Sequence, residues 1–210
     1  MKRLVVKLGG STAYHVEMTR WISALAGAGI PLVLVPGGGP FADRVREAQA
    51  PMRFSDRAAH FMAILAMEQM GLALADIHPR LAPARSLSDM ETILANGRLP
   101  VWLPYELSRS AGDIPESWDM TSDSLSAWLA GRIGADALLL VKQTDALADS
   151  VEDLAEAGIV DPLLPEMLGE ETSLYIAGPC FLNDAAQILA AGKIPGSRIG
   201  KRRDLARGAA

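Results

Sequence analysis

The sequence predicts an α/β fold in which parallel strands lie packed between helices, and three observations lead there. Two strand-turn-helix units follow one another near the N-terminus, each with a helix long enough to cross over a sheet, the connection parallel strands require. A third apolar strand later ends in a lysine just as the first one carries one. At 210 residues and 50% hydrophobic content the chain can also bury one sizeable core, a length that favours one domain over two.

Residues 3–8, Arg-Leu-Val-Val-Lys-Leu, form a β-branched-rich run stopped by Gly9-Gly10 and read as a buried strand. A helix follows, with Ser11 or Thr12 as its cap and Met18, Trp21, Ile22 and Leu25 at helical spacing, before Gly27 and Gly29 close it. Residues 30–35 repeat the strand, 36–40 (Pro-Gly-Gly-Gly-Pro) the turn, and 41–48 begin the second helix. Residues 51–55 have no periodic apolar anchors and read as a mobile connection, a candidate lid. A long helix is expected over 56–75 from Phe61, Ile64, Leu65, Leu72 and Leu74, with Met62, Met67 and Met70 in core or subunit-contact packing.

Pro79, Pro83, Pro100, Pro104 and Pro115 then break the chain, leaving one short strand at 99–103. A helix over 122–134 and a strand over 137–141 follow, the strand leading to Lys142-Gln143-Thr144-Asp145. Residues 152–168 are acidic and interrupted by proline. The last elements are a strand at 174–177, a helix at 183–191 and a strand at 198–199, with 201–210 a polar, frayed tail.

A charged fraction of 21% and a net charge of −5 leave no basic excess for a phosphate backbone, so nucleic acid is not an expected partner. The one cysteine, Cys180, excludes a disulfide within the chain and a multi-thiolate metal site, which fits a reducing compartment, the cytoplasm. The apolar run after Lys2 and Arg3 stops at Lys7, too early for a secretion signal, and no stretch of roughly 18 uninterrupted apolar residues suggests a membrane.

Lys7 is the first chemical oddity. An ammonium group in an apolar strand must reach solvent or an anion. In an open parallel sheet ligands bind beyond the carboxyl ends of the strands, where Lys7, Gly9, Gly10 and Ser11 would stand. Glycines let backbone N–H groups approach phosphate oxygens, and the next helix N-terminus adds a favourable field. A lysine snorkelling beside a tight turn fits Lys-x-Gly-Gly-Ser as well. Gly37-Gly38-Gly39 makes a second such cradle, or a flexible turn, and neither loop has the spacing of a P-loop or a dinucleotide fingerprint. A third constellation, Trp118-Asp119-Met120-Thr121-Ser122-Asp123-Ser124, stands before a helix, where its side chains either cap that helix or orient nearby lysines.

These segments together resemble the amino acid kinase family: residues 5–11 (Val-Val-Lys-Leu-Gly-Gly-Ser), 35–43, 119–124 (Asp-Met-Thr-Ser-Asp-Ser), 142–145 (Lys-Gln-Thr-Asp) and 196–199 occur in the family's order, over nearly the whole chain. The resemblance implies a three-layer α/β/α sandwich with a mostly parallel sheet, one domain over 1–200, with an acceptor side at 1–120 and a nucleotide side at 121–200. It implies ATP and Mg2+ as cofactors, a small-molecule acceptor and a homo-oligomer. Lys7, Asp123 and Gly10 would be catalytic, Asp123 orienting lysines. Gly9, Ser11, Lys142, Thr144 and Asp145 would border the nucleotide, and Gly37, Gly38, Gly39, Asp43, Arg44 and Asp119 the acceptor.

Two departures stand out. Relatives have glycine soon after the Thr-Asp pair, where this chain runs Ala146-Leu147-Ala148, and relatives carry a second catalytic lysine where 158–169 has no lysine or arginine. Lys142 is the candidate substitute. The Trp-Asp-x-Thr-Ser-Asp-Ser stretch is similar to that of the family's aminomethylfuranylmethyl phosphate kinases of methanofuran-type cofactor synthesis, which implies a phosphate monoester as acceptor, with Arg44, Arg46, Arg53 and Arg57 as cationic partners or as an exposed helix face. Uridylate, isopentenyl phosphate or carboxylate phosphorylation and a nucleotide-dependent storage protein are the alternatives. His15, His60 and His78 lack metal-ligand spacing, so no metal is assigned to protein side chains, and Asp145, Asp149, Glu152 and Asp153 read as a solvated acidic loop before a magnesium site.

Overall fold

β1 (Leu4–Leu8) is buried at all five positions and lies inside a seven-stranded sheet, flanked in parallel by β2 (Leu32–Pro36) and β5 (Ala137–Val141). The structure is a computed structural model and describes residues 3–145 and 148–202. Residues Ala146 and Leu147, where the chain departs from the family pattern, and most of the polar tail therefore lie outside the described residues. Strand order is β3-β4-β2-β1-β5-β6-β7, with β3 (Leu81–Ala84), β4 (Leu99–Trp102) and β6 (Ser173–Ala177) parallel to the rest and β7 (Ser197–Ile199) antiparallel.

Period-two alternation divides the core into two layers. Leu4, Val6 and Leu8 face α1 (Val16–Ala26) and α9 (Leu182–Ala190), while Val5, Val35, Leu138 and Leu140 face α6 (Ser122–Arg132). Lys7 shares its parity with Val5, so its side chain rises on the α6 face. Helices cover both faces, which is the three-layer sandwich expected. After β2 the chain passes to the edge strand β3, returns to fill in β4 between β3 and β2, then crosses to the other side of β1 as β5, so the strand order reverses around β1. A crevice for ligands opens at the carboxyl ends of strands at such a reversal.

α2 (Gly39–Met52) starts within the triple glycine and runs through Pro51, and α3 (Asp56–Ile77) is capped by Ser55, whose Oγ accepts from the Ala58 N–H at 3.2 Å. The stretch 51–55 is thus a helix end, a left-handed Arg53 (φ 57°) and a helix cap. α3 is long and apolar enough, by length and composition, to cross a membrane. Its inner face, including Ile64, Met67, Met70 and Leu74, is buried in the protein.

Five elements were not legible. β3 reads Leu-Ala-Pro-Ala, and its proline is tolerated because β3 is the sheet's edge. α4 (Leu87–Ala95) is set by a Ser86-Asp89 capping box, and α5 (Tyr105–Ser110) is a short turn after Pro104. The acidic stretch folds as α7 (Val151–Glu156), with its own Ser150-Asp153 capping box, and α8 (Leu164–Met167), because Val151, Leu154 and Leu164 are buried. The first helix begins later than expected, at Val16 with His15 as its cap residue, after a 3-10 turn at Gly10–Thr12 in which the Thr12 hydroxyl donates to the Gly9 carbonyl at 2.6 Å.

Candidate active site

The two glycine loops at the ends of β1 and β2 touch each other. A Cβ on Gly10 would collide with the Gly39 backbone and one on Gly37 with the Gly10 backbone, while Gly39 holds φ +53°. Part of the glycine signal therefore serves loop-to-loop packing, whatever ligand the loops meet. Gly9 differs: a Cβ there would stand 3.1 Å from the Val141 carbonyl oxygen and 3.7 Å from Lys7 Nζ, so its bare Cα leaves room beside the lysine.

Lys7 ends in an ion pair with Asp123, Nζ to Oδ1 at 2.9 Å, and Lys142 takes the other oxygen, Nζ to Oδ2 at 2.6 Å. Lys142 also donates to the Ile159 carbonyl at 2.7 Å. The residues are 6% (Lys7) and 3% (Asp123) exposed, so the charges are paired in a largely dry setting where an isolated one would be costly. Burial pushes the Asp123 carboxyl up, but the two ammonium groups together outweigh it and hold the group at about 2. Burial, then the Lys7 charge, pulls the Lys142 ammonium below its ordinary value, with Asp123 opposing. One carboxylate thus holds two cations at the end of the crevice, each with donor capacity left for an anion.

Asp123 sits in the first turn of α6, and that turn is held from outside. Asp161 accepts from the Thr121 N–H (2.9 Å), the Thr121 hydroxyl (2.6 Å) and the Ser124 N–H (3.0 Å), doing the work of a helix cap from 37 residues away. Burial and the Asp123 charge push the Asp161 carboxyl above its ordinary value, against these hydrogen bonds. Thr121 occupies the cap position, but no side-chain cap bond comes from it.

Beside the glycine loops lies a cavity of about 230 Å³ between α2, α3 and the 118–125 segment. Gly10, Ser11, Gly38, Gly39 and Asp43 line it, as do Thr121 and Ser122. Arg44 points elsewhere, paired with Glu47, and Asp119 is exposed outside the cavity wall. The arginine at the cavity is Arg46, whose guanidinium lies 4.4 Å from the Trp118 ring centroid and 3.6 Å from Asp43. Trp118 is anchored in turn by donating to Gln49 Oε1 at 2.7 Å. Arg57 pairs with Glu116. Thr144 and Asp145 continue past Lys142 to the surface, where Asp145 accepts from the Cys180 N–H at 3.1 Å. A larger cavity, about 600 Å³, lies at the amino end of β6, away from both loops and both lysines.

The acidic residues 152 and 153 are committed to other partners, Asp153 to Ser150 and Arg202 and Glu152 to the Arg202 N–H. Among the described residues no three His, Cys, Asp or Glu side chains converge to hold a metal. Sequence reading missed Asp161, left Arg46 undistinguished among four candidate arginines, and gave no site role to His60, a buried histidine at the cavity wall. Asp161 carried one signal, a carboxylate in an apolar stretch before a proline; Arg46 and Arg44 differ only in helix phase.

The model of the amino acid kinase family matches residues 2–163. The chain is 26% identical, over 147 residues, to [5-(aminomethyl)furan-3-yl]methyl phosphate kinase of Methanocaldococcus jannaschii, spanning 69% of this chain and 68% of that protein. Its fold is similar to the crystal structure of uridylate kinase from Archaeoglobus fulgidus, with a TM-score of 0.71 at 18% identity over 95% of this chain and all of that one. UMP kinase from Ureaplasma parvum follows, with a TM-score of 0.66 at 13% identity over 95% and 99% of the two chains.

Proposed function

Because the chain belongs to the amino acid kinase family, we propose that it is an ATP-dependent kinase that transfers the γ-phosphoryl group of ATP to a small phosphate monoester, [5-(aminomethyl)furan-3-yl]methyl phosphate, making the diphosphate. The observation that carries this reading is the Lys7-Asp123-Lys142 bridge beside the glycine loops. Phosphoryl transfer demands positioning and charge neutralisation, with little covalent work for the protein. In this reaction an oxygen of the acceptor's phosphate forms the new bond to the γ-phosphorus as the bond to the β,γ-bridging oxygen breaks. Lys7 and Lys142 would neutralise the charge on the moving group, Asp123 would hold both lysines in place, and the Gly9 and Gly10 N–H groups would add backbone donors.

In this reading the cavity lined by Gly38, Gly39, Asp43 and Arg46 takes the acceptor, and the side of β5 and β6 around Lys142, Thr144 and Asp145 takes the nucleotide. Magnesium would arrive on the phosphates of ATP, where it neutralises charge. Lys142 supplies the second lysine that residues 158–169 lack, which weakens the case for a storage protein on the same fold. The exposed apolar side chains of α3, among them Leu65, Leu72 and Ile77, support association of like subunits. A cytoplasmic setting completes the reading, with ATP at hand and the exposed Cys180 reduced.

The test is ADP release from Mg-ATP by wild type and Lys7→Met with this ester, UMP, isopentenyl phosphate and carboxylate acceptors. Turnover dependent on the furan ester, at least 100-fold lower in the variant (about 2.7 kcal/mol), is expected. Turnover with UMP alone would reassign the acceptor. ATP binding without turnover on any acceptor would favour the storage reading.

A further inference from the structure

His60 lies on the first turns of α3, is 2% exposed and lines the acceptor cavity. Its Nδ1 is 3.1 Å from the Ser117 carbonyl oxygen. A carbonyl only accepts, so Nδ1 carries a proton, and the ring's free acceptor in the neutral state is Nε2. Nε2 is buried and has no partner among the described residues. A buried polar atom left unpaired costs roughly 1–3 kcal/mol. Among the described residues the other buried side-chain atoms without a hydrogen-bond partner belong to Trp102, Ser108 and Ser124, with Asp123 Oδ1 held by the Lys7 ion pair, and none of these residues lines this cavity. Among the described residues, His60 is therefore where the wall of this cavity and an unmet hydrogen-bonding group coincide.

We infer that His60 Nε2 is a specificity element for the acceptor, receiving a hydrogen bond from a primary amine at the end of the molecule remote from its phosphate. This rests on the kinase reading above and goes further, because it names the group that the cavity selects. Three features of the site point to an amine. A neutral imidazole nitrogen offers a lone pair, so it selects a donor, and burial keeps the ring neutral by pulling its pKa below the ordinary value, against the Ser117 hydrogen bond and the Glu116 charge. The Ala63 carbonyl lies next to Gly38, and His60 stands three residues earlier on the same helix, about 4.5 Å away along its axis. The same cavity wall carries the apolar side chains of Ile64, Met67 and Leu125, so a flat ring bearing a phosphate and an amine finds glycine backbone, an apolar surface and the His60 acceptor in one cavity. Asp43 and Arg46 pair with each other at 3.6 Å and leave His60 as the buried acceptor.

The experiment compares kcat/KM for [5-(aminomethyl)furan-3-yl]methyl phosphate and its 5-methyl analogue, which lacks the donor. Wild type is expected to prefer the amine at least tenfold, about 1.4 kcal/mol. His60→Asn keeps a donor near the Ser117 carbonyl but has nothing at the Nε2 position, and should bring the ratio close to one; His60→Gln, whose amide oxygen can reach that position, should retain much of the preference. Equal wild-type rates for the two esters would overturn the inference and leave the kinase reading standing, as would an undiminished preference in His60→Asn. No turnover with either ester would overturn the kinase reading and the inference with it. If His60→Asn fails to fold, the wild-type comparison alone decides.

Discussion

Lys7 and Lys142 come off neighbouring parallel strands and grip opposite oxygens of one carboxylate, at 2.9 and 2.6 Å from Asp123. Strand register makes this possible: Lys7 is level with Leu140, so Lys142 stands two residues further on, with the same side-chain parity and on the same face. The second lysine on Asp123 thus comes from the residue that follows β5.

Lys142→Met should lower kcat with the furan ester at least 100-fold, as is expected of Lys7→Met, and the double variant should be little worse than either, because both are expected to act on one transferring group. Arg44→Ala serves as a control, since Arg44 lies outside the cavity and its pair is exposed. Steady-state kinetics of the four proteins decide this; full activity in Lys142→Met would remove that residue from the chemistry.

Asp123 sets an acid limit on stability. Its folded pKa, about 2, lies below the ordinary 3.8, so the folded state binds the proton more weakly. That stabilisation, on the order of 2 kcal/mol, is fully present above about pH 4 and fades as pH falls towards 2. Asp161, whose carboxyl is raised, has the opposite sign: its ionisation costs stability above its unfolded pKa, a cost that disappears as it protonates. Resistance of wild type to urea should therefore fall between pH 4 and 2, and Asp123→Asn, less stable at pH 7 because two buried ammonium groups lose their partner, should show a flatter dependence.

Asp161→Asn should lower stability by about 1–3 kcal/mol, because the Thr121 and Ser124 groups lose a charged acceptor at the α6 terminus. Asp161 is a positioning residue, so the fall in kcat should exceed any change in the KM for ATP. Thermal melts paired with kinetics separate these effects, and unchanged kcat in a destabilised variant would confine Asp161 to folding.

Glycines of two kinds can be told apart by alanine. Gly10→Ala forces a Cβ into the Gly39 backbone and should lower stability by more than about 2 kcal/mol together with activity. Gly131→Ala, in α6 with nothing within 4 Å of its added Cβ, should be neutral or stabilise by up to about 1 kcal/mol. Melting temperatures of the two variants test the contrast.

Much of the architecture was legible because local pattern and burial agree along it. The strands around Lys7 and before Lys142 are uninterrupted apolar runs, and the glycine loops punctuate them. The stretch 79–115 was less legible, since its prolines suppressed a strand and two helices whose own signals, a capping box and an edge position, depend on neighbours. At the site, Lys7, Gly10, Asp123 and Lys142 stand at element ends where few roles fit their chemistry. Arg44 was preferred over Arg46 because two residues of helix phase decide which reaches the cavity, and phase against a neighbouring helix is a packing outcome.

By itself, then, the sequence determined which residue types stand at the strand ends, and with them the α/β class, because strand parity and glycine turns are local properties of the chain. Only the tertiary structure decided that Lys142 shares Asp123 with Lys7, that Asp161 caps α6 from 37 residues away and that His60 turns a nitrogen with no partner among the described residues to the cavity beside the glycine loops. Those pairings follow from strand order and helix packing, which bring together groups whose separation along the chain leaves no periodic trace.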